Sequence, residues 1–179
     1  PESLPPNVES IHPGDIRDLD VATAALRDVD LVLRAAGILH PCRIRDLYAI
    51  NRDGTAQLAR AAVRTGVRRF AFVSTNAAAG FARDASSPMR ESDPPRPQSH
   101  YGKSKRQGEE ALWDILAGTA TEGVVVRPTT FYGPHFPERH LRAYQLARGG
   151  RGVAHLRGVC SREWRRRLLR RATRHRAAR

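Results

Sequence analysis

Cysteines, long apolar runs and metal-ligand spacings are all scarce in this chain of 179 residues, and each scarcity excludes a class of protein. The two cysteines, Cys42 and Cys160, are too few for a disulfide framework, which favours a protein of the reducing cytoplasm. No apolar run is long enough to cross a bilayer, so the sequence predicts no membrane span. The seven histidines show no metal spacing with a cysteine or carboxylate, which predicts no metal site.

Lysine is scarce as well, because only two of the 31 basic residues are lysines. The arginines are unevenly placed: residues 148–179 hold twelve of them against one acidic residue, whereas residues 1–147 carry a net charge of only +2. The body is therefore nearly neutral, which argues against nucleic acid as a partner. The Arg-rich tail around Trp164 has two interpretations: a basic amphipathic helix for nucleic acid or anionic lipid, or a disordered or out-of-frame segment, which we favour.

Hydrophobic residues, counting aromatics and cysteine, make up 40% of the chain. Their spacing alternates between the patterns of strands and of helices. This alternation is typical of an α/β fold with a parallel sheet and crossover helices. We predict strands at 8–12, 30–35, 69–74 and 123–127, helices at 19–28, 44–65, 100–117 and 138–148, and an irregular stretch at 80–98.

Tyr101 and Lys105 form the most informative pair in the sequence. They stand four residues apart at the start of a helical pattern, so their side chains share one helix face. A phenol is a poor acid–base group at neutral pH, and a neighbouring cation lowers its pKa toward a useful range. The alternative is an exposed helix start with a solvated lysine. The spacing alone leaves both open.

Other segments fall in a fixed order around this pair: NVESIHPGDI at 7–16, DLVLRAAG at 30–37, NRDGT at 51–55, RFAFVSTNAAAG at 69–80, YGKSK at 101–105 and VVVRPTTFYGP at 124–134. Over about residues 7–148 the series resembles the extended short-chain dehydrogenase/reductase family, the NAD-dependent epimerases and dehydratases of nucleotide sugars. The resemblance implies a Rossmann-like, doubly wound parallel sheet. It also implies NAD or NADP as cofactor, with NAD favoured, a nucleotide sugar as substrate, and homodimers among intact relatives.

The resemblance assigns three catalytic residues. Tyr101 would be the acid–base group, Lys105 would hold the nicotinamide ribose and lower the pKa of the tyrosine, and Thr75 would hydrogen-bond the reacting oxygen. The alternative for Thr75 is a plain β-branched strand residue, and Ser74 is a weaker candidate. Dehydratases of this family carry an acidic pair directly after this threonine. This chain has Asn76 at the first of those two positions and no acidic pair, which favours epimerase or simple reductase chemistry.

The resemblance also assigns cofactor contacts along the chain. Asp15 would accept from the adenine amine while Ile16 packs on the ring, although an aspartate after Gly14 is also a common turn residue. Arg34 departs from the family, which often has histidine or a hydrophobic residue at that position. The remaining cofactor-binding candidates lie at strand ends or inside the long helix: Ala35, Ala36, Gly37, Asn51, Arg127 and Pro128.

Two parts of such a fold have no counterpart in the sequence. The first is the strand, Gly-rich turn and helix that together would hold the pyrophosphate of the cofactor. The second is the substrate lobe that would follow the last family motif. We therefore expect residues 1–148 to form a partial NAD(P)-binding domain, residues 149–179 to be a separate tail, and the reading frame to be truncated at both ends or frameshifted. This chain alone is then expected to bind NAD weakly and to be inactive.

Two other functions remain open from the sequence. A reductase or hydroxysteroid-type dehydrogenase could use the same scaffold and the same tyrosine. A non-catalytic chain whose basic tail binds nucleic acid is the alternative from another class.

Overall fold

A computed structural model of the protein describes residues 8–39, 41–82 and 86–129. Its elements are α1 (Leu19–Ala25), β1 (Leu31–Arg34), α2 (Ile44–Tyr48), a π-helical turn (Ala49–Asp53), α3 (Gly54–Thr65), β2 (Arg69–Val73), α4 (Asn76–Ala79), α5 (His100–Leu116) and β3 (Glu122–Val126). All of these elements belong to one compact unit. None of the helices described is both long and apolar enough to cross a membrane.

The three strands form one parallel sheet in the order β1-β2-β3. Leu31 pairs with Arg69, which pairs with Glu122, so all three strands start level and end at the same edge. The central strand contributes the fully buried Phe70 and Phe72, since alternate side chains of a strand point to one face. The predicted parallel α/β architecture is confirmed.

The hydrophobic core lies between this buried face of the sheet and helices α1, α3 and α5. It is built from Ala22, Leu26, Val32, Ala59, Ala61, Ala62, Val67, Phe70, Phe72, Leu112 and Leu116. The many alanines on α3 allow the helix to approach its neighbours closely. On the other face of the sheet, Leu31 and Leu33 are exposed, as are Val124 and Val126.

Helix ends follow local signals in the sequence. Asp18 caps α1 by accepting from the backbone N–H groups of Asp20 and Val21, and Ser99 caps α5 by accepting from Gly102. Helix α3 stops at Gly66, which adopts a left-handed φ of 74° that favours glycine. Helix α1 is shorter than the predicted 19–28.

The strand predicted at 8–12 is wrong. These residues form no strand, and Val8 and Ile11 are exposed. A strand persists only where a neighbour satisfies its N–H and C=O groups, and no strand of the described ranges pairs with this segment. Helix α4 was not predicted. The predicted helix at 138–148 and the predicted boundary after residue 148 lie outside the described residues.

Candidate functional site

The ends of the three strands place most of the predicted residues at one edge of the sheet. Because all the strands are parallel, the loops that follow Arg34, Val73 and Val126 leave from the same edge. Two backbone hydrogen bonds join the second and third loops: Ser74 N–H donates to the Val126 carbonyl at 2.8 Å, and Asn76 N–H to that of Pro128 at 2.9 Å. Open α/β sheets bind their ligands at this carboxyl edge.

Tyr101 and Thr75 meet at this edge. Thr75 is 8% exposed and follows β2, where its hydroxyl also caps α4 by accepting from Ala77 N–H at 3.3 Å. Burial raises the pKa of Tyr101 above its ordinary value, and a hydrogen bond with the Thr75 side chain partly offsets that rise. The direction is opposite to the one predicted from the lysine spacing, because desolvation dominates and Lys105 is engaged elsewhere.

Lys105 lies one helical turn below Tyr101 and is 3% exposed. Its Nζ donates to the carbonyl oxygen of Val73 at 2.7 Å and lies 4.4 Å from the centroid of the Phe72 ring. Burial, and after it the positive charge of Arg34, lower the pKa of this ammonium to about 8, while Glu109 acts in the opposite direction. Its proton is therefore held much more weakly than that of an exposed lysine.

Asn51 connects the loop after β1 to α5. Its amide exchanges two hydrogen bonds with the backbone of Ile38, at 3.0 and 3.1 Å, and donates to the Ser104 hydroxyl at 3.1 Å. The asparagine is fully buried and sits in the π-helical turn, a feature found often at functional sites. A Cβ on Gly37 would lie 3.1 Å from Asn51 Oδ1 and 3.7 Å from Lys105 Nζ, so the exposed backbone there passes close to both.

Glu109 is the central residue of this edge that sequence reasoning missed. The carboxylate is fully buried and accepts from the Ser74 hydroxyl at 2.5 Å, from Arg127 Nε at 2.9 Å and Nη2 at 2.6 Å, and from Arg106 at 3.2 Å. Burial alone would raise the pKa of Glu109, but the hydrogen bonds from Arg127 and Ser74 outweigh it and lower that pKa. Its position eight residues after Tyr101 and four after Lys105, on one helix face, was the available signal.

Arg127 and Pro128 therefore have structural contacts in addition to their predicted cofactor role. The guanidinium of Arg127 is bound by Glu109, and the Pro128 carbonyl is bound by Asn76. Their contact with a cofactor remains a prediction.

Asp15 and Ile16 lie in the segment before α1, where Asp15 is exposed and Ile16 is partly buried. Both carboxylate oxygens of Asp15 accept from the guanidinium of Arg17, and this interaction holds the pKa of Asp15 well below its ordinary value. Ile16 packs toward Gly54 at the start of α3, where an added Cβ would lie 2.7 Å from its Cδ1. The structure thus brings together Gly37, Asn51, Thr75, Tyr101 and Lys105, and leaves Asp15 in a separate, exposed segment.

Comparison with known proteins agrees with this geometry. The chain is 34% identical over 141 residues to the uncharacterized protein y4nL of Sinorhizobium fredii, covering 77% of this chain and 40% of that protein. It is 31% identical to a UDP-glucose 4-epimerase of Vibrio cholerae, over 68% of this chain and 39% of that enzyme. It also matches the structure of MoeE5 in complex with UDP-glucuronic acid and NAD, with a TM-score of 0.65 and 26% identity over 76% of this chain and 46% of MoeE5.

The chain spans less than half the length of each of these three relatives. The sequence pattern of the NAD dependent epimerase/dehydratase family matches residues 2–164. The family predicted from the motif order is confirmed, and the protein belongs to the NAD dependent epimerase/dehydratase family of enzymes.

Proposed function

We propose that this chain carries the catalytic edge of an NAD-dependent epimerase that acts on a nucleotide sugar, with Tyr101 as the acid–base group. The observation that supports this most is the contact between Tyr101 and Thr75 beside the buried Lys105, at the carboxyl edge of a parallel sheet. A phenol, a hydroxyl and an ammonium are the groups needed to move a proton at a sugar oxygen while hydride leaves the same carbon.

The described residues fit a nicotinamide cofactor. Small residues at 35–37 leave the backbone exposed beside Asn51 and Lys105, where side chains would obstruct a ligand. Lys105 would hold the nicotinamide ribose, and Asp15 and Ile16 would contact the adenine. NAD, when bound, supplies the hydride acceptor and donor.

Each catalytic side chain then has a distinct task. Tyr101 takes the proton from the sugar hydroxyl and returns it after the hydride has moved. Thr75, fixed by its hydrogen bonds, holds the reacting oxygen in place. Asn76 is exposed and carries no carboxylate, so nothing described at this position could eliminate water, which favours epimerisation over dehydration.

A simple dehydrogenase is the second candidate, because the same three side chains serve net oxidation. The two reactions differ in their products. An epimerase converts one sugar into its epimer without net NADH, whereas a dehydrogenase accumulates NADH. A homodimer and a cytoplasmic location remain further predictions for the same protein.

The experiment removes one phenolic oxygen at a time. A full-length relative that carries these motifs is purified and given NAD and UDP-hexoses, and both NADH absorbance and the sugar product are followed. Tyr101→Phe should lower turnover at least roughly a hundredfold, in line with the contribution of a positioned acid–base group, with little change in NAD affinity. Tyr48→Phe is the matched control, since within the described ranges the Tyr48 hydroxyl hydrogen-bonds only with the exposed His100, at 2.9 Å.

Near-normal turnover in Tyr101→Phe would remove this tyrosine from its role. No product from any nucleotide sugar, with NAD bound at micromolar affinity, would contradict the substrate class and leave the cofactor assignment standing.

A further inference from the structure

Arg34 is a buried cation at the end of β1, and it has no acidic partner among the described residues. It is 2% exposed, its Nη1 donates to the Ala36 carbonyl, and its Nη2 donates to the Ile50 carbonyl at 2.7 Å. Its Nε is buried without any hydrogen-bond partner. In the part of the chain that the structure describes, no carboxylate forms an ion pair with it, which is costly for a buried charge.

The same aromatic ring receives both Arg34 and Lys105. Arg34 is the register partner of Phe72 in the sheet, so both side chains point to the buried face. The Arg34 Cζ lies 5.1 Å from the Phe72 ring centroid, and the Lys105 Nζ lies 4.4 Å from it. Two cations therefore share one apolar pocket where the dielectric constant is low and charges interact strongly.

The other groups that face Lys105 do not compensate for this charge fully. From α5 it meets Glu109, whose carboxylate already accepts from Ser74, Arg127 and Arg106. From β2 it meets the Val73 carbonyl and the Phe72 ring. The neutral Asn51, in the π-helical turn, lies beside the same Gly37 backbone.

We propose that Arg34 is a positioning residue of the candidate site, a second buried cation that repels the ammonium of Lys105 and so loosens its hold on its proton. The proposal rests on the proposed function for its consequence, since the protonation state of Lys105 sets the charge one helical turn from the acid–base group. The lowered pKa of Lys105, to which Arg34 contributes after burial, agrees with the geometry.

Lysine labelling tests this directly, without cofactor or substrate. The chain has only two lysines, the exposed Lys103 and the buried Lys105, so one reports on the other. The folded protein is acetylated briefly over a range of pH, and peptides carrying each lysine are quantified by mass spectrometry. The midpoint of the reactivity of Lys105 gives its pKa, and Lys103 corrects for the reagent.

Arg34→Met removes the charge and keeps an unbranched apolar chain. We expect the pH midpoint of Lys105 acetylation to rise. Below that midpoint, the reactivity of Lys105 relative to Lys103 should fall by roughly tenfold for each pH unit of the rise. If that variant does not fold, Arg34→Gln, which can still donate to the Ala36 carbonyl, is expected to behave in the same way. Arg52→Met is the charge-matched control, because Arg52 pairs with Asp53 and stacks on Tyr48, and it should leave the midpoint unchanged.

Arg34→Lys separates charge from packing. It disturbs the same hydrogen bonds but retains a cation, so the midpoint of Lys105 should stay low. A rise as large as that of Arg34→Met would mean that loosened packing is the cause and would overturn the proposal, as would an unchanged midpoint in Arg34→Met. Because no NAD is present, either result would leave the proposed function standing.

Discussion

The strand-end region around Tyr101 and the segment Asp15–Arg17 are held together in different ways. Around Tyr101, side chains such as Asn51 and Lys105 are buried and bind groups 13 to 53 residues away in sequence. Asp15 and Arg17 have half-exposed side chains and bind each other across two residues. The first region has a geometry set by the whole fold, and the second has one set by local sequence.

This difference predicts how each region meets a ligand. The hydroxyl of Thr75 and the backbone near Gly37 are already in place, which lowers the entropic cost of binding there. Asp15 has both oxygens engaged by Arg17, so an adenine amine has to share or displace that guanidinium. The two ends of a dinucleotide would thus meet a prearranged surface and an adaptable one.

Removing Glu109 should break the strand-end region most severely. Glu109→Ala leaves the buried Ser74 and the partly buried Arg127 facing an empty carboxylate position, and breaking an ion pair whose carboxylate is buried costs up to about 3–5 kcal/mol of unfolding free energy. Denaturant unfolding at neutral pH measures it. Glu110→Ala is the control on the next residue: its ion pair with Arg106 is half-exposed and should contribute less than about 1 kcal/mol. Equal losses in both variants would mean that Glu109 does not organise the region.

The burial of Lys105 predicts a pH dependence with a definite sign. Its pKa is about 8 in the folded protein and near 10.5 when unfolded, so between these values the unfolded chain binds more protons. The unfolding free energy should therefore rise with pH there, by about 2 kcal/mol from about pH 7 to about pH 9.5, and fall back on acidification. The same measurement on Lys105→Met should lose this rise, with Lys103→Met as control. A rise retained in Lys105→Met would assign the titration to another group.

The exposed segment should respond least. Arg17→Met removes a half-exposed ion pair, so the unfolding free energy should change little. The pKa of Asp15 should move up toward its ordinary value, which carboxyl NMR can follow. A large loss of stability would show that this segment is tied to the fold as firmly as the strand ends.

The sequence predicted what depends on local pattern. The strand around Phe70 and Phe72 and the helix that contains Tyr101 were both predicted, because an apolar run and a helical pattern are local features of the sequence. The segment 8–12 was misjudged as a strand because strand formation depends on a pairing partner, which a one-dimensional pattern does not contain.

The site residues divide in the same way. The Tyr101–Lys105 spacing placed both side chains on one face, but the direction of the Tyr101 pKa shift depends on burial, which only the packed structure supplies. The burial of Arg34 and the convergence of Ser74 and Arg127 on Glu109 join residues distant in sequence. The spacing of Glu109 from Tyr101 and Lys105 could have placed it on their helix face, but no local signal encodes its partners on other elements.

Two glycines of α5 set the closest backbone approaches of the strand-end region. A Cβ on Gly102 would lie 2.2 Å from the carbonyl oxygen of Ala77, and one on Gly108 would lie 2.5 Å from that of Asn51. We therefore expect relatives to keep glycine at these two positions as strictly as they keep a tyrosine at position 101, although neither glycine has a side chain that can react. A position along this helix can therefore be constrained by the chemistry of its side chain or by the lack of space for one. Only the contacts of each position distinguish the two.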